Sequence, residues 1–274
     1  MAKVHAYMGV DRSCLSVYKA LPSLQNQIGS KNGITPFLYS LHKAKARNPK
    51  PMPTKPQTSQ IVSRKRVADH GEVFTAEREV KAMCDLVKSE TERIESRFLE
   101  PACGQGAFLV EILRRKLANT TSRYRKSQNE WERYATLAVR SLYGIDILAD
   151  NVALCRQNLY DIFHTEYTAL FPKTIKEECC GAVRYILSLN ILWGDALTLE
   201  LPDDSKRPIV FAEWSDTGNG MFKRRDYTMA HLLQCTPMDG LNLFSDLGDQ
   251  AFIPTPVADY PRTHFLKLGA DENR

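Results

Sequence analysis

Apolar positions fall into two alternating rhythms along residues 67–200, and the alternation predicts the elements. In "GEVFTAEREVKAMCDLVKSETERI", Val80, Met83, Cys84 and Val87 recur at i, i+3, i+4 and i+7, one face of a helix. Thr75 is placed to cap its start, with Glu77 and Glu79 near the positive end of the helix dipole. "RFLEPA" then reads as a buried strand, "CGQG" as a tight turn and "AFLVEILRRKLA" as a helix. The polar stretch "NTTSRYRKSQNEWERY" reads as an insertion or an extension of that helix. "SLYGIDIL" is a second strand, and "ADNVALCRQNLYDIFHTEY" a helix with Val152, Cys155, Leu159 and Ile162 on one side. A further helix, "IKEECCGAVRYILSLN", leads to a third strand, "ILWGDAL". Strand and helix in strict alternation predict right-handed crossovers and a parallel sheet.

Beyond residue 200 the rhythm changes. "IVFAEW" and "MFKRRDYT" flank the turn residues "SDTGNG" and predict a β-hairpin, with Lys223 and Arg225 sharing a face that either meets phosphate or a partner, or is simply solvated. The rest, with Pro254, Pro256 and Pro261, reads as an extended tail. At the other end, Pro49, Pro51, Pro53 and Pro56 break any long helix, so residues 1–66 read as an arm and linker, with a short helix in "CLSVYKALPSL". The chain therefore divides into 1–66, 67–200 and 201–274.

Charge sharpens that division. Residues 1–66 hold 12 Lys and Arg against one acid, Asp11, a balance of +11; with +5 overall, the other 208 residues carry −6. A basic arm with a single acid suits a polyanion, through counterion release, and equally suits a solvated extension. A hydrophobic content of 43% in 274 residues is enough for a sizeable core. No apolar run is long enough to span a membrane. Seven cysteines without a CxxC pair point to reduced thiols in a cytoplasmic protein, and to neither zinc nor a disulfide framework. Cys179 and Cys180 read as ordinary helix residues.

Ligands on parallel sheets bind beyond the carboxyl ends of the strands, which here are Glu100, Asp146 and Asp195. Gly104 and Gly106 allow close backbone approach, and a helix N-terminus follows. The dinucleotide fingerprint is incomplete, since Leu109 stands at the third glycine and Asp146 lies 40 residues beyond Gly106. Three acids repel phosphate and suit hydroxyls, amines and a sulfonium, which favours S-adenosylmethionine over a dinucleotide.

In order and spacing, "GEVFTAEREV", "FLEPACGQGAF", "YGIDI" and "WGDAL" resemble the successive cofactor motifs of bacterial N6-adenine DNA methyltransferases of restriction-modification systems, over about residues 70–197. The resemblance implies an α/β, Rossmann-like, class I S-adenosylmethionine-dependent methyltransferase fold. It assigns Phe74 and Thr75 to the methionine end of the cofactor, and Glu100, Pro101, Ala102, Gly104, Gly106 and Phe108 to the glycine-rich turn motif. Asp146 takes the ribose hydroxyls with Ile147 beside the adenine, and Asp195 lies near the adenine amine with Ala196 adjacent. Ala76 departs from the family's usual proline.

The family's catalytic motif, Asn or Asp followed by Pro-Pro and an aromatic residue, accepts the amine of a flipped base. The chain has no Pro-Pro, and its only Asn-Pro, Asn48-Pro49, lies in the linker. The expected sheet is thus incomplete, and the resemblance implies the cofactor half of a split enzyme, with DNA as substrate and the Pro-Pro motif and target recognition on a partner subunit. Two other readings stay open: a self-sufficient methyltransferase on RNA or another acceptor, through Glu213, Trp214 or Asp226, and a noncatalytic DNA-binding or regulatory subunit with a vestigial fold. Cys103, in the turn, reads as a packing residue, not a nucleophile.

Overall fold

The computed structural model describes Arg66 and residues 75–234 and 255–270. All of these except Arg66 belong to one compact unit. The basic arm, the helix expected in "CLSVYKALPSL", and Phe74 lie outside the described residues, as do residues 235–254.

Helix α1 (Glu77–Asp85) buries Val80 and Cys84, and a short α2 (Lys88–Glu92) follows. Ala76, not Thr75, occupies the capping position of α1, and no side chain caps it; Glu77 and Glu79 in the first turn offset the dipole instead. Strand β1 (Phe98–Glu100) runs through a glycine turn into α3 (Ala107–Tyr124), which buries Leu109, Ile112, Leu113, Leu117 and Thr120 on one side. Helix α4 (Gln128–Arg140) comes next, capped by Ser127, whose side chain accepts from Glu130 N. Then come β2 (Leu142–Asp146), α5 (Ala149–Leu170), α6 (Glu177–Asn190) and β3 (Ile191–Trp193).

The three strands pair in parallel in the order β1-β2-β3. Alternation sorts their side chains by face. Phe98, Leu142 and Ile191 join the large core that the helices build. Leu99, Tyr143, Ile145 and Leu192 face a smaller cluster containing Ile209, Phe211 and Met229. Both faces of the parallel sheet are thereby covered, as buried parallel strands require. The chain is a mixed α/β protein whose sheet and helices suit a Rossmann-like arrangement.

The expected hairpin forms from β4 (Val210–Asp216) and β5 (Met221–Thr228), with left-handed Gly218, Asn219 and Gly220 at its turn. The described part of the tail lies extended along β5, through β6 (Ala258–Asp259) and β7 (Thr263–His264), so it wraps the chain's own hairpin. Trp214 and Phe222 enter the same large core as the helices, so the hairpin and the parallel sheet share one interior.

Helix α3 is anchored by a buried cation. Lys116 is fully buried, and its ammonium donates to Ile94 O at 3.1 Å, to Ser96 O and to Ser141 Oγ at 2.6 Å, while lying 5.1 Å from the centre of the Phe98 ring. This joins α3 to the approach to β1 and to the residue before β2. Replacing Lys116 with Met keeps the length and apolar stem but leaves those acceptors without their donor, at about 3 kcal/mol. We expect Lys116→Met to lower the urea unfolding midpoint accordingly; an unchanged midpoint would show that the anchor is dispensable.

Candidate functional site at the strand ends

The carboxyl ends of β1, β2 and β3 lie side by side because the three strands are parallel and in register, Glu100 opposite Gly144 and Asp146 opposite Trp193. The turn after β1 folds back onto β2. Cys103 N donates to Ile145 O at 2.8 Å, and Gly106 N to Cys103 O at 2.8 Å. Asn158 Nδ2, from α5, donates to Gln105 O at 2.9 Å.

Two glycines make this possible for different reasons. Gly106, with φ +89°, lies against Cys155, and a Cβ there would stand 2.6 Å from its Sγ. Gly104, with φ +51°, has nothing within 4 Å of where a Cβ would project. The first glycine is demanded by internal packing and the second leaves open space at the site. Gly106 also occupies the capping position of α3, with no side-chain cap and no acid in the first turn, so the positive end of an 18-residue helix faces the turn unneutralised.

Asp146 holds the centre. Its Oδ2 accepts from Gly104 N at 2.8 Å and its Oδ1 from Leu148 N at 2.9 Å, with Asn151 Nδ2 at 3.4 Å. A carboxylate offers about four acceptor directions and three are taken, so the one left on Oδ2 is open to a ligand hydroxyl. Gly194 N donates to Asp146 O at 3.0 Å, which brings Asp195 to the same end. Asp195 Oδ1 accepts from Leu197 N at 2.8 Å. Ile147 is 43% exposed, and its carbonyl accepts from Trp193 Nε1 at 2.9 Å. Trp193, at the end of β3 and tied to Ile147, borders the candidate site, although the sequence does not single it out.

Of the sequence-derived set, Glu100, Pro101, Ala102, Gly104, Gly106, Phe108, Asp146, Ile147, Asp195 and Ala196 lie on these strand ends and the turn between them. Pro101 and Ala102 are exposed, Phe108 is partly buried in the first turn of α3, and Ala196 packs on the smaller cluster. Thr75 precedes α1, and no described hydrogen bond ties it to the turn; Phe74 is outside the described residues.

Glu100 is electrostatically unusual. Burial pushes its carboxyl from the ordinary 4.5 up to about 7, against a smaller opposing effect from the Ala102 backbone N–H. Cys103 is shifted the opposite way from a nucleophile: its hydrogen bond with Cys155, and then burial, hold the thiol protonated well above the usual range.

The proposed alternative acceptors are occupied. Glu213 is buried and paired with Arg97 at 2.7 Å and Arg225 at 3.9 Å. Trp214 is 1% exposed and donates from Nε1 to Asn190 Oδ1 at 3.0 Å, leaving no ring face for a base. Asp226 is buried, and both its oxygens take 2.7 Å bonds from Arg224. Lys223 and Arg225 pair with Asp259 of the tail and do not form a free basic face.

The raised carboxyl gives a signed prediction. An acid whose folded pKa lies above its unfolded value destabilises the fold as pH rises from about 4.5 through about 7, because the unfolded chain releases the proton more readily. We expect Glu100→Gln to remove that penalty, raising stability at pH 8 by about 2 kcal/mol and at pH 5 by far less, measured by urea unfolding at both values. Equal effects at the two pH values would contradict it. No family model matches this chain, and no curated protein or solved structure matches it either.

Proposed function

We propose that the chain is the S-adenosylmethionine-binding subunit of a split DNA adenine-N6 methyltransferase of a restriction-modification system. The observation that carries the reading is that Glu100 and Asp146 end two adjacent parallel strands beside a turn whose Gly104 side is open, with Asp195 two residues beyond the end of the third.

The residues present fit that cofactor better than a dinucleotide. Three carboxyl groups oppose a pyrophosphate, and Leu109 is buried where the dinucleotide fingerprint has its third glycine. In this reading Glu100 takes the cofactor's ammonium group, and the uncapped start of α3 faces its carboxylate. Asp146 meets the ribose through the acceptor direction left on its Oδ2, Ile147 lies along the adenine, and Asp195 takes the adenine amine. Bound there, S-adenosylmethionine supplies an electrophilic methyl group for direct transfer to the exocyclic nitrogen of a DNA adenine. Glu100 becomes ionised beside the cationic ligand, so binding releases a proton and weakens as pH falls below about 7.

A partner is part of the proposal for two reasons. Glu213, Trp214 and Asp226 are buried and engaged, so none supplies the acceptor site. β1 is an edge of the three-stranded sheet, paired among the described residues only with β2, and it accommodates one further strand. A partner strand there would bring an Asn-Pro-Pro-aromatic motif beside the cofactor turn, where the flipped base must arrive.

The test uses radiolabelled S-adenosylmethionine and mixed-sequence duplex DNA. The purified chain should bind the cofactor, tighter at pH 8 than at pH 6, and transfer no methyl group by itself. Transfer should appear on mixing with a companion chain that carries the Asn-Pro-Pro-aromatic motif. Transfer by the lone chain would overturn the split arrangement, and failure to bind the cofactor would overturn the reading as a whole.

A further inference from the structure

The cations of the described residues are unevenly satisfied. Arg97, Arg115, Arg133, Arg224 and Arg225 each pair with a carboxylate. A different condition holds along residues 112–129, a stretch with six Lys and Arg and no Asp or Glu. Two of the six turn inward: Arg115 to Asp85 and Glu111, and Lys116 to its carbonyl anchors. The other four, Arg114, Arg123, Arg125 and Lys126, are exposed and form no ion pair with any described residue.

Their placement on α3 is orderly. Arg114, Ala118, Ser122 and Arg125 recur at i, i+4, i+8 and i+11, one exposed face of the helix, and Arg123 and Lys126 flank its far end. Arg114 and Arg125 are about 16 Å apart along the axis, with only small side chains between them, enough to straddle a duplex groove about 12 Å wide. The corner that presents the far group is rigid. Tyr124 and Tyr134 stack at 4.0 Å and 3°, Ser127 N donates to Tyr124 O at 2.9 Å, and Trp131 Nε1 donates to Thr121 Oγ1 at 3.0 Å. Two acids border the corner without pairing with these cations: Glu166 accepts from Thr121 Oγ1, and Glu130 sits in the first turn of α4.

We infer that this face of α3, together with the α3–α4 corner, is a contact surface for the phosphate backbone of duplex DNA. The choice of DNA rests on the reading of the chain as half of a DNA methyltransferase; the surface itself rests on unpaired, ordered charge. The helix joins the two ends of that function. Its first turn borders the cofactor turn, and its last lies about 27 Å away, the length of roughly eight base pairs. Phosphates held at Arg123, Arg125 and Lys126 would fix the duplex at a set distance from the strand ends.

The experiment compares the full-length chain with Arg123→Gln/Arg125→Gln/Lys126→Gln, binding a fluorescent mixed-sequence DNA duplex over a series of salt concentrations. Residues 1–66 contribute equally to both proteins, so the difference isolates the surface. Loss of three phosphate contacts should reduce the slope of log affinity against log salt by about 2–3, and weaken binding near 0.15 M salt by roughly 30- to 100-fold. Arg123→Lys/Arg125→Lys keeps the charge and should stay near the parent. Calorimetric binding of S-adenosylmethionine to both proteins gives the independent control. An unchanged slope with intact cofactor binding would overturn this surface and leave the methyltransferase reading standing. No cofactor binding by either protein would overturn that reading. A larger effect of the triple change on duplex RNA than on DNA would overturn the assignment of DNA as partner.

Discussion

The Asp146 carboxylate is the constraint on which the rest of the strand-end architecture depends. One oxygen takes the Gly104 N–H and the other the Leu148 N–H, so a single side chain fixes the turn leaving β1 and the turn leaving β2. Charge-assisted bonds of this kind are stronger than neutral ones, and they are made where two helices begin. The direction of α3 follows from the first bond and the start of α5 from the second. The same carboxylate is the group best placed to meet a ligand's hydroxyls. Any change at Asp146 therefore acts on the turns leaving both strands at once. Glu100 differs in kind: burial opposes its charge, and only the Ala102 backbone N–H favours it.

The hairpin reaches its place by ionic and polar contacts as much as by apolar ones. The outward carbonyls of β4 at Ala212 and Trp214 are met by side chains, Tyr143 Oη at 3.1 Å for the first, and Arg97 at 3.3 Å together with Arg140 for the second. This satisfies acceptors that an added strand would otherwise bind, so β4 is closed to pairing there. Asn190 extends the network, accepting from Trp214 and donating to the carbonyls of Arg140 and Leu142 at 3.0 Å each. Arg140, deep in this layer, forms no ion pair with a carboxylate among the described residues, and burial pulls its pKa down to about 10.

Legibility in the sequence followed the strength of local signals. The three strands, the long helices and the hairpin were readable because period-2 and period-3.6 patterns decide them locally. Helix α4 was not read as an element of its own. Its buried set, from Trp131 to Val139, includes Glu132, whose carboxylate is met by Tyr167 and Lys176 from far along the chain as well as by Gln128, and Thr136, which donates to the Glu132 carbonyl one turn back. The Ser127-x-x-Glu130 pair was the available cue, and Ser127 does cap the helix. Thr75 looked like a cap by type, but capping is decided by where the backbone turns helical, and that is at Ala76. At the site, the glycines and acids were visible as residue types and spacing. What could not be seen was how far each was already engaged: Trp214 and Glu213 are held by Asn190 and Arg97, 24 and 116 positions away, and Asp226 by Arg224, only two positions away, on the same strand.

The two edges of the parallel sheet are differently protected. On the β3 side, Arg156 from α5 donates to Ile191 O from Nε at 2.9 Å and from Nη2 at 2.6 Å, a cation placed on the strand's own carbonyl. Charged groups at a sheet edge are a recognised barrier to strand addition. Strand β1 carries no comparable described guard along Phe98–Glu100; Arg97, just before it, points its guanidinium to Glu213 and Trp214 on the hairpin. An edge guarded on one side and plain on the other is asymmetric in what it permits. The plain edge is also the one that leads directly into the glycine turn. A strand added there would end beside Glu100 and the open side of Gly104, so the sheet's one permissive edge and its candidate ligand site lie at the same place.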